Sequence, residues 1–232
     1  MGAGPLPELP HPDTGRLQAL LMFGAPGAGK GTQSQEISKR LGIPHISTGD
    51  ILREAVRKGT EIGKRAQSIM EAGELVPDDL VCAMVEQRIA EPDCQRGFIL
   101  DGFPRSVHQA LFLDGLLRRQ GRGSALVVNI RVDQDFLLKR LTGRRICPAC
   151  GTIYNIYFNP PRKEGVCDLD GTPLTQRQDD TEAAVHTRLR AYKRQTKPLI
   201  DRYRSLGVLR EVDGNREPKM VTEAIIRLLK AS

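Results

Sequence analysis

LQALLMFGAPGAGKGT, residues 17–32, decides the fold. Leu17–Phe23 is a short apolar run, the pattern of a strand buried on both faces. It leads into GAPGAGKGT, Gly24–Thr32, and a helical pattern follows through about Leu41. Glycines let backbone N–H groups converge on phosphate oxygens, and a helix N-terminus adds a favourable dipole. Gly27, Ala28, Gly29, Lys30, Gly31 and Thr32 are therefore candidate triphosphate ligands. Lys30 is placed to reach the terminal phosphates and Thr32 to meet magnesium. A glycine-rich run alone also fits a plain turn. Strand, glycines, lysine and hydroxyl in this order favour a phosphate loop. One departure from the general pattern is Gly31, which separates Lys30 from the hydroxyl residue.

Outward from this loop, strands and helices alternate. Gly97–Leu100 (GFIL), Ala125–Val132 and Val208–Val212 read as further strands. Helical patterns cover Gly49–Lys58, Glu61–Ala72, Asp78–Ala90, Val107–Arg119, Asp135–Leu141 and Glu217–Lys230. A longer helix is expected over Thr181–Leu206, bent where Lys197 precedes Pro198. The expected class is α/β: a P-loop parallel sheet with helices on both faces.

The chain has 232 residues and a formal net charge of +7. Such a charge invites a nucleic-acid reading. However, 25 of the 35 basic residues are arginine, scattered along the chain, and tryptophan is absent. Stacking platforms for single strands are scarce, whereas arginine suits bidentate contact with a small phosphorylated substrate. No apolar stretch approaches the roughly 20 residues of a membrane helix, so no membrane partner is expected. Residues 1–16, with four prolines and no apolar run, are expected to be a disordered tail with no secretory signal or transit peptide. A soluble, cytoplasmic protein with reduced thiols follows. Cys82 and Cys94 read as small hydrophobes.

Three of the five cysteines cluster in ICPACGTIYNIYFNPPRKEGVCDLD, residues 146–170. Cys147, Cys150, Cys167 and Asp170 follow the pattern C-x2-C, a gap of 16, then C-x2-D. Three thiolates and a carboxylate would complete a structural zinc tetrahedron with no open position. An unmetallated or redox-active loop is the alternative, and Asp168 is a second oxygen donor disfavoured by its adjacency to Cys167.

Further motifs follow the loop: HISTGDILR at 45–53, GELVPD at 73–78, GFILDGFPRSVHQA at 97–110, LTGRR at 141–145, QRQDD at 176–180 and VDGN at 212–215. Together with GAPGAGKGT they resemble, in order and over essentially Leu17–Ser232, the adenylate kinases and related nucleoside monophosphate kinases. The resemblance implies transfer of the terminal phosphate of ATP to AMP, giving two ADP, by a monomer using magnesium.

It implies a helical AMP-binding flap at 47–76 and a zinc-clipped lid at 143–180. Thr48, Arg53, Gly102, Phe103, Pro104, Arg105 and Gln109 would surround AMP, with backbone from Glu74, Leu75 and Val76 holding its base. Arg53 and Arg105 offer bidentate grips on its phosphate, and Gln109 an amide for its base. Lys30, Arg105, Arg140, Arg144, Arg177 and Arg188 would neutralise the transferring group, with Arg177 and Arg188 also reaching AMP. Arg140 and the backbones of Ile153, Tyr154 and Arg216 would touch ATP.

Asp179 is expected to hold a lid arginine. Asp101 would anchor water around magnesium or else cap a helix. His45, His108 and His186 are expected to be solvated or locally packed. Thr48 with Gln109 points to AMP over a pyrimidine monophosphate, while GTP as donor stays open. A zinc-ribbon nucleic-acid module fused to an NTPase is the rival from another class, and it leaves DGFPR without a purpose.

Overall fold

The computed structural model describes residues 18–230, so the expected tail at 1–16 lies outside the described residues. Among these residues the chain runs β1 (Ala19–Phe23), α1 (Lys30–Leu41), β2 (His45–Ser47), α2 (Thr48–Arg57), α3 (Glu61–Glu71), α4 (Asp78–Ile89), β3 (Phe98–Asp101) and α5 (Val107–Arg119). It continues through β4 (Leu126–Arg131), α6 (Gln134–Thr142), β5 (Arg144–Ile146), β6 (Ile153–Asn155), α7 (Glu182–Ala191), α8 (Pro198–Ser205), β7 (Leu209–Asp213) and α9 (Pro218–Lys230).

Five strands form one sheet in the order β2-β3-β1-β4-β7, and every pair is parallel. β1 is central and buried along its whole length, which explains its continuous apolar run. Its residues alternate between the faces. Leu20 and Met22 pack with Ile37 of α1 and with Val221 and Ile225 of α9. Leu21 and Phe23 pack on the other side with α4, α5 and α8 through Val85, Leu113, Leu199 and Tyr203. Cys82 and Cys94 are buried in this second cluster, as small hydrophobes should be.

Parallel pairing sends all five strands out at one edge in register. Met22 and Ser47 both lie beside Asp101, Phe23 beside Asn129 and Arg131 beside Asp213. The segments after β1, β2, β3 and β7 are thus adjacent, at the edge where ligands bind in open α/β sheets.

Two features differ from expectation. β2 has no counterpart in the pattern reading, because three residues with one apolar side chain carry no periodic signal. The helix expected over Thr181–Leu206 is three segments, with a wide π turn at Tyr192–Thr196 between α7 and α8. Lys197 N–H donates to Tyr192 O at 2.8 Å, five residues back. Pro198 has no N–H to give, and its ring excludes a carbonyl four residues earlier, so the preceding turn widens. The wide turn lets Thr196 Oγ1 donate to Arg105 O at 2.9 Å.

Candidate active site

The loop between β1 and α1 is open to an anion. Gly29 caps α1 in a left-handed conformation, φ 95°, and no side chain satisfies the first N–H groups. Those donors and the helix dipole point into the loop. By contrast α2, α5 and α7 carry side-chain caps, Ser47, Ser106 and Thr181. The Lys30 ammonium folds across the loop and donates to Gly24 O (2.8 Å) and Ala25 O (3.1 Å). Burial pushes its pKa down to about 8; Arg105, Arg188 and Arg144 push the same way, and Asp101 opposes them.

Asp101 ends β3 beside this loop, with His45 Nε2 3.5 Å from its Oδ2. Burial works to raise the Asp101 pKa, but His45, Lys30 and Arg105 outweigh it and hold the carboxyl below its usual range. α5 is capped by Ser106, so Asp101 is not spent as that cap. His45 is thus tied to the site, unlike His108 and His186, which are largely exposed.

Five arginines converge on the cleft from five segments of the chain. Arg105 donates to Gly102 O at 2.8 Å. Arg53 lies beside Asp50 at 2.5 Å, and Arg177 reaches the same carboxylate at 3.4 Å. Arg144 grips Asp180 with Nε at 2.7 Å and Nη2 at 2.5 Å. Arg188 donates to Asp180 Oδ1 and to Asp179 O, both at 2.9 Å. Burial lowers the pKa of Arg105 to about 10 and of Arg177 to about 9, and the neighbouring guanidinium groups add to the effect. Arg188 is lowered for the same reasons. Cations that depress one another in a buried space make a site that gains by taking up a polyanion.

This corrects the expectation for Asp179. Asp180, fully buried, holds Arg144, whereas Asp179 faces Arg188 at 3.1 Å and Arg53 at 4.0 Å. Two adjacent aspartates on a short 3-10 turn, Gln178–Asp180, point to different partners, and spacing alone does not say which takes which.

Beyond the arginines, Thr48 Oγ1 donates to Gly102 O at 3.1 Å. Gln109 is buried, its carbonyl oxygen accepting from Arg105 N–H at 2.7 Å and its amino group donating to Asp78 Oδ1 at 2.6 Å. Ser106 donates to the other Asp78 oxygen at 2.5 Å. Asp78 was not singled out in the sequence, although it closes GELVPD and now sets the Gln109 amide.

One cleft of about 1020 Å³ takes in the phosphate loop, Thr48, Arg53, Glu74–Val76, Gly102–Arg105, Gln109, Arg140, Arg144, Ile153, Tyr154, Arg177, Arg188 and Arg216. It also takes in Phe158, not singled out as a nucleotide contact. The Arg140 guanidinium lies 6.0 Å from that ring's centroid and donates to Gly214 O at 3.0 Å. Phe158 also lies 6.2 Å from Phe136 of α6, centroid to centroid, and both rings keep an exposed face.

The insert is organised by a hairpin of β5 and β6 and by two matching turns, Cys147–Gly151 and Cys167–Gly171. In each the glycine N–H returns to the first cysteine's carbonyl at 3.0 Å, and the glycine is left-handed, φ 74° and 71°. The repeat C-x-x-[C/D]-G could have been found in the sequence. One donor atom from each of Cys147, Cys150, Cys167 and Asp170 lies within 4.8 Å of the others. Cys150 Sγ is 3.6 Å from Cys167 Sγ, and Cys147 Sγ is 3.3 Å from Asp170 Oδ2. Bond lengths of about 2.3 Å to sulfur and 2.0 Å to oxygen give tetrahedral edges of about 3.5–3.8 Å, so the donors fit a tetrahedral divalent ion. Asp168 takes no part: its Oδ1 accepts from Arg162 N–H at 2.9 Å. Among the described residues no helix is long and apolar enough to cross a membrane.

The family model described as adenylate kinase matches residues 22–208. The adenylate kinase of Moorella thermoacetica is 50% identical over 210 residues, covering 90% of this chain and 97% of that protein. That of Staphylococcus aureus is 48% identical over 210 residues, 90% of this chain and 98% of its own length. That of Archaeoglobus fulgidus is 48% identical over 215 residues, with coverage of 91% and 99%.

Proposed function

The chain belongs to the adenylate kinase family, and on that premise we propose that it transfers the terminal phosphate of ATP to AMP, giving two ADP. The observation that carries this is the cleft itself: an open phosphate loop at one end, a closed polar pocket at the other, and buried cations between. Phosphoryl transfer needs little covalent help from protein; positioning and charge neutralisation carry it.

In this reading Gly27–Thr32 cradle the ATP phosphates, and Lys30 leaves its carbonyl partners for the terminal ones. Thr32 would meet magnesium and Asp101 would anchor water around it; the ion would supply charge neutralisation at the phosphates. Arg105 and Arg53 grip the AMP phosphate, while Arg144, Arg177 and Arg188 close on the transferring group. Thr48, Gln109 and the backbone of Glu74–Val76 receive the AMP base; Gln109 has one amide hydrogen and one lone pair beyond those used by Asp78 and Arg105. Arg140 and Phe158 flank the ATP base, with backbone from Ile153, Tyr154 and Arg216 completing that end.

Residues 47–76 act as the acceptor flap and 143–180 as the lid that excludes water, which would otherwise take the phosphate. Cys147, Cys150, Cys167 and Asp170 hold zinc, which supplies a cross-link and no chemistry. We read the enzyme as a cytoplasmic monomer acting on ATP, AMP and ADP, with no nucleic acid or membrane partner.

The test supplies ATP and magnesium with AMP, UMP, CMP or GMP in turn and follows ADP by chromatography. Strong turnover with AMP alone is expected, and Lys30→Ala should nearly abolish it without unfolding the protein. A pyrimidine acceptor turned over as fast as AMP overturns the roles of Thr48 and Gln109.

A further inference from the structure

The cross-linked knot of the lid contains one side chain that its ligand pattern does not require. Tyr154 lies in β6, between Ile153 and Asn155, and is 5% exposed. Its ring packs with Cys147, Cys167 and Leu174 in a small core of its own. Its hydroxyl is 3.5 Å from Cys167 Sγ and accepts the N–H of Asp168, the next residue, at 2.8 Å. With one lone pair turned to the Asp168 N–H, the phenol keeps its proton available for sulfur. Once Cys167 is a thiolate, as a metal ligand must be, only the phenol has a proton to give, and Tyr154 is the donor.

The remaining candidate ligands are also served by residues of their own turns or the residue just after them. Cys147 Sγ faces the Cys150 N–H at 3.5 Å. Cys150 Sγ lies 3.1 Å from Thr152 Oγ1. Asp170 Oδ1 accepts from Thr172 N–H at 2.9 Å. Tyr154 works differently: it reaches from the hairpin beside the first turn to hold the first ligand of the second. A thiolate that accepts such a bond has its orientation set and its charge partly offset before an ion arrives.

We propose that Tyr154 is a positioning residue for the lid's metal, donating from the hairpin strand to the Cys167 thiolate and fixing the second turn against the first. This rests on the reading that the four-ligand knot holds zinc. Tyr154 takes no coordination position; it acts through Cys167. The same three-residue strand is fastened at its other end, where Asn155 Nδ2 donates to Arg140 O at 2.9 Å. The strand that borders the nucleotide cleft is therefore pinned to the knot at one residue and to α6 at the next.

The experiment compares the full-length wild type with Tyr154→Phe, which keeps the ring and removes only the hydroxyl. Zinc affinity is measured by competition with a chromophoric chelator, and the cobalt(II)-loaded proteins are compared by their thiolate-to-cobalt charge-transfer absorption. Zinc binding about 10–100-fold weaker, with a displaced charge-transfer band, is the expected result. The band separates a role at the sulfur from a general loss of packing, because poorer packing alone leaves the Co–S electronics unchanged. Wild-type affinity and an unshifted band in Tyr154→Phe overturn the proposal while the zinc reading stands. Failure of the wild type to take up zinc or cobalt overturns both.

Discussion

Asp180→Asn is the sharpest perturbation of the cation cluster. The substitution preserves shape and removes one negative charge from a fully buried position that accepts three hydrogen bonds, two from Arg144 and one from Arg188. An amide offers one oxygen and one NH₂, so donor then faces donor on at least one of these bonds. Two buried guanidinium groups are left with Asp179 alone, and Asp179 is already shared with Arg53. Removing one partner of a buried ion pair costs about 3–5 kcal/mol. In a domain of this size each kcal/mol moves Tm by about 2–4 °C, so a fall on the order of 10 °C is expected.

Catalysis should suffer separately, because Arg144 and Arg188 lose the anchor that aims them. Loss of one such stabilising donor costs about 10²–10³-fold in kcat, and kcat should drop by at least the lower figure at a temperature where the variant stays folded. Differential scanning calorimetry and the coupled ADP assay measure the two effects on one preparation. A variant within 1–2 °C of wild type, as expected for a surface substitution, and with undiminished kcat would refute the assignment of Asp180 as the organiser. Asp179→Asn, at a partly exposed position, is expected to shift Tm less.

Gly63 of α3 has no room for a side chain, since a Cβ there would sit 2.1 Å from Ala55 O of α2. Gly63→Ala should separate the two helices, cost about 1–3 kcal/mol or more, and raise the KM for AMP because α2 carries Thr48 and Arg53. An unchanged Tm and KM would contradict that packing. Lys30, lowered to about 8 in the free protein, must be protonated to hold phosphate. ATP affinity should therefore fall as pH rises above 8, by at most about tenfold per unit. An affinity flat from pH 7 to 9.5 counts against it. The same depression means that the unfolded chain binds the extra proton between about pH 8 and 10.5, so Lys30 makes the free protein more stable as pH rises through that window. Chelation should lower Tm while turnover at low temperature persists, and a chelated, still folded enzyme with no turnover would show that the metal does more than cross-link.

The fold was legible wherever one physical signal stood alone. β1, the glycine loop and α5 follow from an apolar run, backbone freedom and a helical apolar pattern, and each depends on nothing distant. What escaped depended on competition between neighbours or on tertiary pairing. β2 exists because His45–Ser47 finds the edge of β3, not because of its own composition. Asp179 and Asp180 are chemically identical in sequence, and only the 3-10 turn decides which faces Arg144. The π turn is a consequence of Pro198 written one turn upstream of the proline. Phe158 lies beside Phe136 and Arg140 only because the chain folds the insert back onto α6, a pairing that no local pattern encodes.

The need for a metal can be argued from the lid's own contents. Its apolar core consists of Cys147, Tyr154 and Cys167 with Leu174 against them, and two of these four are themselves candidate ligands. Burial of so little apolar surface cannot offset the entropy of ordering nearly forty residues at about 1–2 kcal/mol each. At its base the insert borrows order from the folded body, through Arg188 of α7 on Asp180 and Asn155 on α6. Toward the tip those contacts give way to ones inside the insert, where the two matching turns meet each other and Tyr154 of the hairpin. In the proposed function, a cross-link there would let the insert move as one piece, carrying Arg144 and Arg177 at fixed separation onto the phosphate without unravelling from the tip.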